Sequence, residues 1–251
     1  MRLRVAAMLE AGMRDDALDR KDAFHAALRR DILTLRLAPG TALDEAALAL
    51  QYGLSRPPLR EVLRQMAGEG YLELRRNRGA AVAPMTHTTL RNFFLAAPMI
   101  YAAISRLAAQ NASAAQVAGL KEIQRQFRAA VTGGEAEQRV TWNDRFHAAI
   151  GEIADNVYLL PSLRRLLIDH ARIGMTFYRP RRAGPDSRLA RAADQHDALI
   201  AAIEAGDEET AAAVTLDHWA LSRDMIETFV TPEGLDAPLG DSPQRQAGEP
   251  Q

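Results

Sequence analysis

The chain has 251 residues, 31 Lys and Arg against 32 Asp and Glu, 47% hydrophobic and 6% aromatic residues, and no cysteine. That length predicts two domains with separate cores, and that composition excludes a wholly disordered chain and favours helix over sheet. The missing cysteines exclude disulfides, thiolate zinc sites and thiol nucleophiles, and they suit a reducing cytoplasm.

The first residues, MRLRVAAMLEAGMRDD, hold a short apolar stretch broken by Glu10, unlike a secretory h-region, and no run is expected to reach membrane-spanning length. A soluble, cytoplasmic protein with no membrane partner is the expectation. Residues 1–19 read as an N-terminal extension, 20–85 as one domain, 86–230 as a second and 231–251, rich in Pro, Gly, Gln and acids, as a disordered tail. Between Arg20 and Met85 there are 11 Lys/Arg against 7 Asp/Glu, and from Thr86 onward 17 against 21. The excess of positive charge in the first domain is what a phosphate-binding surface needs.

The first helix is predicted over Arg20–Leu37, with Phe24, Leu28, Ile32 and Leu35 as its apolar stripe, ended by Pro39-Gly40. The second begins at the N-cap Asp44 and stops at Gly53. Ser55 is the next N-cap, Pro57 and Pro58 fit the first turn, and Leu59, Val62, Leu63 and Met66 form a buried stripe running to Gly68–Gly70. Tyr71–Leu74 and Ala80–Ala83 read as a small hairpin whose tip is Arg75-Arg76-Asn77-Arg78-Gly79. Three helices plus a small β-hairpin make a winged helix-turn-helix.

On the third helix Arg56, Arg60 and Arg64 recur every four residues and share one face. An arginine can meet guanine O6 and N7 in bidentate fashion while the helix start favours phosphate, which Ser55 can touch. Arg75, Arg76 and Arg78 are placed to reach the DNA backbone or the adjacent minor groove, with Gly79 permitting close approach. An Arg-rich helix alone is more often a solvated face; the basic hairpin that follows is what favours DNA.

The residues Pro39-Gly40-x-x-Leu43, a helix, Ser55-Arg56-x-Pro58-x-Arg60-Glu61-x-Leu63 and the glycine-ended wing resemble the DNA-binding domain of the GntR family of bacterial regulators. The resemblance implies operator contacts from Arg56, Arg60 and the Arg78-Gly79 wing. Pro57 stands where the family commonly has Thr or another small residue, which alters one phosphate contact.

After Pro84 helices are predicted over Thr86–Gln110, Ala114–Val131, Glu135–Asp155, Tyr158–Tyr178, Ser187–Ala205 and Glu208–Val230, an antiparallel all-α bundle, with a kink or split at Pro98 and a loop over Pro180–Pro185. Asn143 and His147 share a stripe with Val140, Ile150 and Ala154; His196 shares one with Leu199, Ile200 and Ile203; His218 shares one with Ala211, Val214, Leu221 and Met225. One buried histidine is usually a satisfied core residue. Three on three helices of one bundle each cost hydrogen-bonding free energy unless a shared cation satisfies them, and Asn143 and His147 have the i, i+4 spacing that serves one metal. His170 lies on an inward stripe with Leu163, Leu166, Ile173 and Phe177, as a pocket residue or a competing ligand; His25 and His87 have no such setting.

"NDRFHAAIGEIADN", "QHDALIAAIEAGDEETA" and "TLDHW" resemble the FCD effector-binding domain of the FadR-type GntR subgroup. The resemblance implies a divalent metal, zinc or nickel, held by Asn143, His147, His196 and His218, on which an organic-acid effector is coordinated. Asn143 replaces the commoner Asp, and an uncharged amide oxygen is a weaker ligand. "FLAAPMIYAAIS" places Pro98 and Tyr101 where the family often has an Arg and a Glu, which points to a less acidic or more apolar ligand, with Tyr101 and His170 in the effector pocket. A regulator that binds operator DNA as a homodimer is the leading expectation, because one head reads too few base pairs to be selective. The alternative is a metal-dependent hydrolase or lyase on a helical bundle, with Asp144 as its base.

Overall fold

The structure is a computed structural model that describes residues 19–76, 78–178 and 187–230. The expected extension up to residue 18, the Pro180–Pro185 loop and the tail over 231–251 lie outside the described residues, as do the side chains of Phe177 and Met225.

Helix α1 covers residues 19–33 and buries Phe24, Leu28 and Ile32. It stops four residues short of the predicted end. Leu35 takes a left-handed φ of 57°, and the Thr34 hydroxyl donates back to the Arg30 carbonyl at 2.8 Å. Pro39 then disfavours helical backbone at Ala38. Leu35 and Leu37 still pack on the core, so their apolar spacing is satisfied by a turn, not by a longer helix.

Helix α2 (Glu45–Tyr52) starts as predicted: one carboxylate oxygen of Asp44 accepts from the Ala46 and Ala47 amides. It ends at Gly53, whose φ of 60° suits a residue without a Cβ. Helix α3 (Arg56–Glu69) buries the expected Leu59, Val62, Leu63 and Met66. Ser55 occupies its N-cap position, but the side chain makes no capping hydrogen bond. The hairpin pairs β1 (Leu72–Arg75) with β2 (Gly79–Val82) in antiparallel register, Leu72 opposite Val82 and Arg75 opposite Gly79. The segment before α2 adds a third edge: Ala42 bridges Ala81, the Gly40 and Leu43 amides donate to the Val82 and Ala80 carbonyls, and the Val82 amide donates to Thr41.

The bundle consists of α4 (His87–Asn111), α5 (Ala114–Gly133), α6 (Ala136–Ala154), α7 (Leu159–Tyr178), α8 (Ser187–Glu204) and α9 (Glu208–Val230). Capping boxes at Thr86 and Ser113 fix the starts of α4 and α5. Helix α4 is not split at Pro98 but continues through it as one helix, and, against expectation, it is long and apolar enough to cross a membrane by length and composition. Its apolar face is instead spent inside the protein: Phe93, Ala97, Tyr101, Ile104 and Ala108 are buried, chiefly against α9 and α6. That packing also holds the helix together where Pro98 removes one backbone hydrogen bond. Helices α6 and α7 approach so closely that a Cβ on Gly151 would run into Leu163.

Head and bundle share apolar surface. One cluster joins Phe24, Leu28, Leu63 and Met66 of the head to Phe127, Val140, Ile168, Ala171 and Met175 of the bundle, while a second, with Tyr101, Phe146, Ile150 and Trp219, lies wholly within the bundle.

Candidate DNA-reading face and metal centre

The burial of Leu59, Val62, Leu63 and Met66 turns the opposite face of α3 outward, so Arg56, Arg60 and Arg64 are all exposed. Arg60 is not free: its Nε donates to Glu45 Oε2 at 3.0 Å. Glu45, Arg60, Leu63, Arg64, Leu74, Arg75 and Gly79 line a groove of about 490 Å³ between α3 and the wing. A side chain on Gly79 (φ 70°) would press on the Glu45 carboxylate. Arg75, Arg76 and Arg78 are exposed around the wing tip, and Asn77 lies outside the described residues. Ser55 is exposed, and its hydroxyl makes no capping hydrogen bond to the helix.

The histidines meet in the bundle. His147 of α6, His196 of α8 and His218 of α9 are buried, and each offers a ring nitrogen within 4.8 Å of the others. The His196 and His218 ring centroids stand 4.7 Å apart, so the two helices joined at Gly206-Asp207 do face each other with these rings. Asn143, one turn before His147, is also buried. Its Oδ1, His147 Nε2 and His196 Nε2 have no hydrogen-bond partner among the described residues. Burial pushes all these imidazoles down: His147 and His196 well below their ordinary value, with neighbouring imidazoles adding to the effect, and His218 to about 4. They are therefore neutral near pH 7, the form that ligates a metal. Three lone-pair nitrogens and an amide oxygen with no partner among the described residues suit a divalent ion, and the residues present fit one.

His170 of α7 stands beside this set but outside it. Its ring lies 4.9 Å from His147, and its Nδ1 is held by the Tyr101 hydroxyl at 2.8 Å. Burial lowers its pKa to about 3 and raises that of Tyr101 well above normal, so this is a neutral pair that accepts and donates without charge. Trp219 stacks on Tyr101 with centroids 5.8 Å apart. His25 bonds Glu69 at 3.1 Å and His87 is exposed, both remote from the cluster.

Four residues that matter here carried no assignment from sequence or a wrong one. Asp144, the candidate base, is tied to the head: Arg29 Nη2 of α1 donates to its Oδ2 at 2.6 Å, and Arg29 Nε donates to the Tyr71 hydroxyl at 2.8 Å. Burial raises the Asp144 pKa against the pull of Arg29. Arg172 of α7 is fully buried and donates to the Ala83 carbonyl, just past β2, and to Asp169. Gln124 of α5 accepts from His196 Nδ1 at 3.1 Å. A polar residue on the stripe Val117, Leu120, Gln124, Phe127 was the available signal for it; for Arg29 and Arg172 nothing distinguishes them from neighbouring arginines.

Comparison with known proteins agrees with the two-part architecture. Residues 21–82 match the family model "Bacterial regulatory proteins, gntR family", and residues 99–221 match the model "FCD domain". The chain is 31% identical over 128 residues to the HTH-type transcriptional repressor RspR of Escherichia coli K12, a match covering 51% of this chain and 56% of that protein. It is 29% identical over 187 residues to a probable D-xylose utilization operon transcriptional repressor of Paenarthrobacter nicotinovorans, covering 74% of this chain and 79% of the relative. The solved structure of E. coli McbR/YncC superposes with a TM-score of 0.72 at 20% identity, over 84% of this chain and 99% of that one, which establishes a common fold. These relatives are named as transcriptional regulators, and the expectation of a hydrolase or lyase is overturned on that ground and by the engagement of Asp144 with Arg29.

Proposed function

Because the chain belongs to the GntR family of bacterial regulators and carries an FCD domain, we propose that it is a FadR-type, operator-binding regulator whose hold on DNA is set by a small molecule at the histidine cluster. The observation that carries this reading is the placement of α6. On one face it presents Asn143 and His147 to the cluster, and on another it presents Asp144 to Arg29 of the head. Anything that shifts α6 by binding at the cluster therefore acts on the helix that packs against the DNA reader, which is the differential contact that allosteric control requires.

In this reading residues 20–85 form the head and 86–230 the effector domain. Ser55, Arg56, Arg60, Arg64, Arg76, Arg78 and Gly79 face operator DNA. Asn143, His147, His196 and His218 hold a divalent cation, zinc or nickel, and that ion supplies a positive Lewis-acid centre for an acidic effector. Tyr101 and His170 line the effector's side of the cluster as neutral hydrogen-bonding partners, which suits an organic acid with an uncharged polar or apolar remainder. Two copies in the cytoplasm read a roughly palindromic site, one half-site per head.

The test is selection of operator sequences from a random duplex pool, followed by anisotropy titrations. Arg56→Ala and Arg60→Ala are each expected to weaken the selected site by about 1–3 kcal/mol. Elemental analysis of His147→Ala, His196→Ala and His218→Ala is expected to show lost metal with metal-free operator binding intact. A pool that yields no consensus sinks the DNA reading, and full metal content in all three variants sinks the metal reading.

A further inference from the structure

The histidine cluster works as a ligand set only if each ring turns an unprotonated nitrogen toward its centre, and one residue outside the set controls this for His196. Gln124 is buried on α5 and its amide is pinned at both ends. Its Nε2 donates to the Ala193 carbonyl at 2.7 Å, and its Oε1 lies 3.1 Å from His196 Nδ1. Ala193 precedes His196 by one turn of α8, so a single amide clamps the helix backbone and the ring it carries. The first bond fixes which end of the amide is which, because a carbonyl can only accept. The Oε1 can then only accept as well, so Nδ1 must carry the His196 proton and Nε2 is left with its lone pair. That Nε2 is buried and has no hydrogen-bond partner among the described residues. Phe146 stacks on the His196 ring at 4.0 Å and 16°, which sets the ring plane but leaves the tautomer open.

We infer that Gln124 is a positioning residue that locks His196 as the Nδ1-H tautomer and so keeps Nε2 available to a divalent cation. The inference rests on the metal reading above for its purpose but not for the tautomer itself. Gln195 makes a matching 3.1 Å contact to His218 Nδ1 from α8. Such outer partners of ligating histidines commonly govern metal affinity by 10- to 100-fold.

The experiment uses full-length, metal-free protein labelled with 15N-histidine, in wild type, Gln124→Met and Gln124→Glu. Long-range 1H–15N spectra are expected to show His196 as the Nδ1-H tautomer in wild type and Gln124→Glu, and as an Nε2-H or mixed population in Gln124→Met. Zinc titrated against a chromophoric chelator is expected to bind Gln124→Met about 10- to 100-fold more weakly and Gln124→Glu no more weakly than wild type. Unchanged His196 shifts in Gln124→Met overturn the inference, as does zinc affinity within twofold of wild type in a folded Gln124→Met. If Gln124→Met does not fold, Gln124→Glu decides: an Nε2-H signal there overturns the inference. Wild type that binds no zinc while Gln124→Met changes the tautomer sinks the metal reading and leaves the tautomer lock standing.

Discussion

The exposed arginines of α3 and the wing differ from the buried imidazoles of the bundle in what holds them and in what they cost. Arg56, Arg64, Arg76 and Arg78 stand in solvent, and the fold would be about as stable without them. His147, His170, His196 and His218 are enclosed and forced neutral, and two imidazole nitrogens of the cluster have no partner among the described residues. Exposed groups of this kind can wait for a partner at little cost, whereas for the buried imidazoles the lack of a partner is itself destabilising. On the proposed reading, the imidazole cluster is the half of the molecule poised to change when something binds.

That contrast is broken most sharply by acid. In the unfolded chain these histidines titrate near 6.5, while folded His218 and His170 stay neutral down to about 4 and about 3, and His147 and His196 are depressed as well. Depressed folded values mean that the stability is intact above pH 6.5 and drains away as pH falls from there toward 4 and 3. A histidine that stays neutral in the fold costs about 1.4 kcal/mol per pH unit in that window. Asp144 has the opposite sign, since its raised pKa favours the folded state only at the acid end, and one carboxyl does not offset four imidazoles. Against a net stability of about 5–15 kcal/mol, metal-free protein is expected to be markedly less stable at pH 5 than at pH 7. Circular dichroism against pH checks this, and a flat urea midpoint between pH 7 and pH 5 would remove the premise that the cluster is strained.

The joint between the two regions gives a smaller effect with a direction. The Arg29 side chain is 41% exposed and that of Asp144 only 6%. Removing Arg29 strands a buried carboxylate whose Oδ1 has no partner among the described residues, at a cost of about 1–3 kcal/mol. Asp144→Asn leaves Arg29 in partial solvent with its Tyr71 bond intact and costs less. Urea midpoints are expected to fall further for Arg29→Ala than for Asp144→Asn, and zinc is expected to change operator affinity less in Arg29→Ala than in wild type. Equal midpoints would mean that the pair is ordinary surface electrostatics.

Sequence made the periodic part legible and left the convergent part obscure, for a physical reason. Helix ends announce themselves locally, as at Asp44, Gly53 and Ser113, where a cap or a left-handed glycine answers to its own neighbours. The meeting of His147, His196 and His218 was legible too, because polar residues on apolar stripes are conspicuous. The end of α1 was misplaced because Leu35 and Leu37 keep their spacing while leaving the helix. Arg172 was invisible because its burial depends on the Ala83 carbonyl 89 residues away, and no local pattern distinguishes it from Arg164 or Arg165.

The smallest effect separates two residues that look alike as N-caps, Asp44 and Ser55. Asp44 accepts two backbone amides at 2.9 and 3.0 Å, so Asp44→Ala removes real capping, worth about 1 kcal/mol. Ser55 makes no such bond, and Pro57 and Pro58 in the first turn of α3 leave fewer amides there to satisfy. Ser55→Ala is therefore expected to change stability by less than about 0.5 kcal/mol while weakening operator binding, and because serine is neutral the salt dependence of binding stays as it was. A thermal melt and a salt-titrated anisotropy curve measure both halves of that expectation. If Ser55→Ala melts as early as Asp44→Ala, the hydroxyl belongs to the helix and the head offers the phosphate one contact fewer.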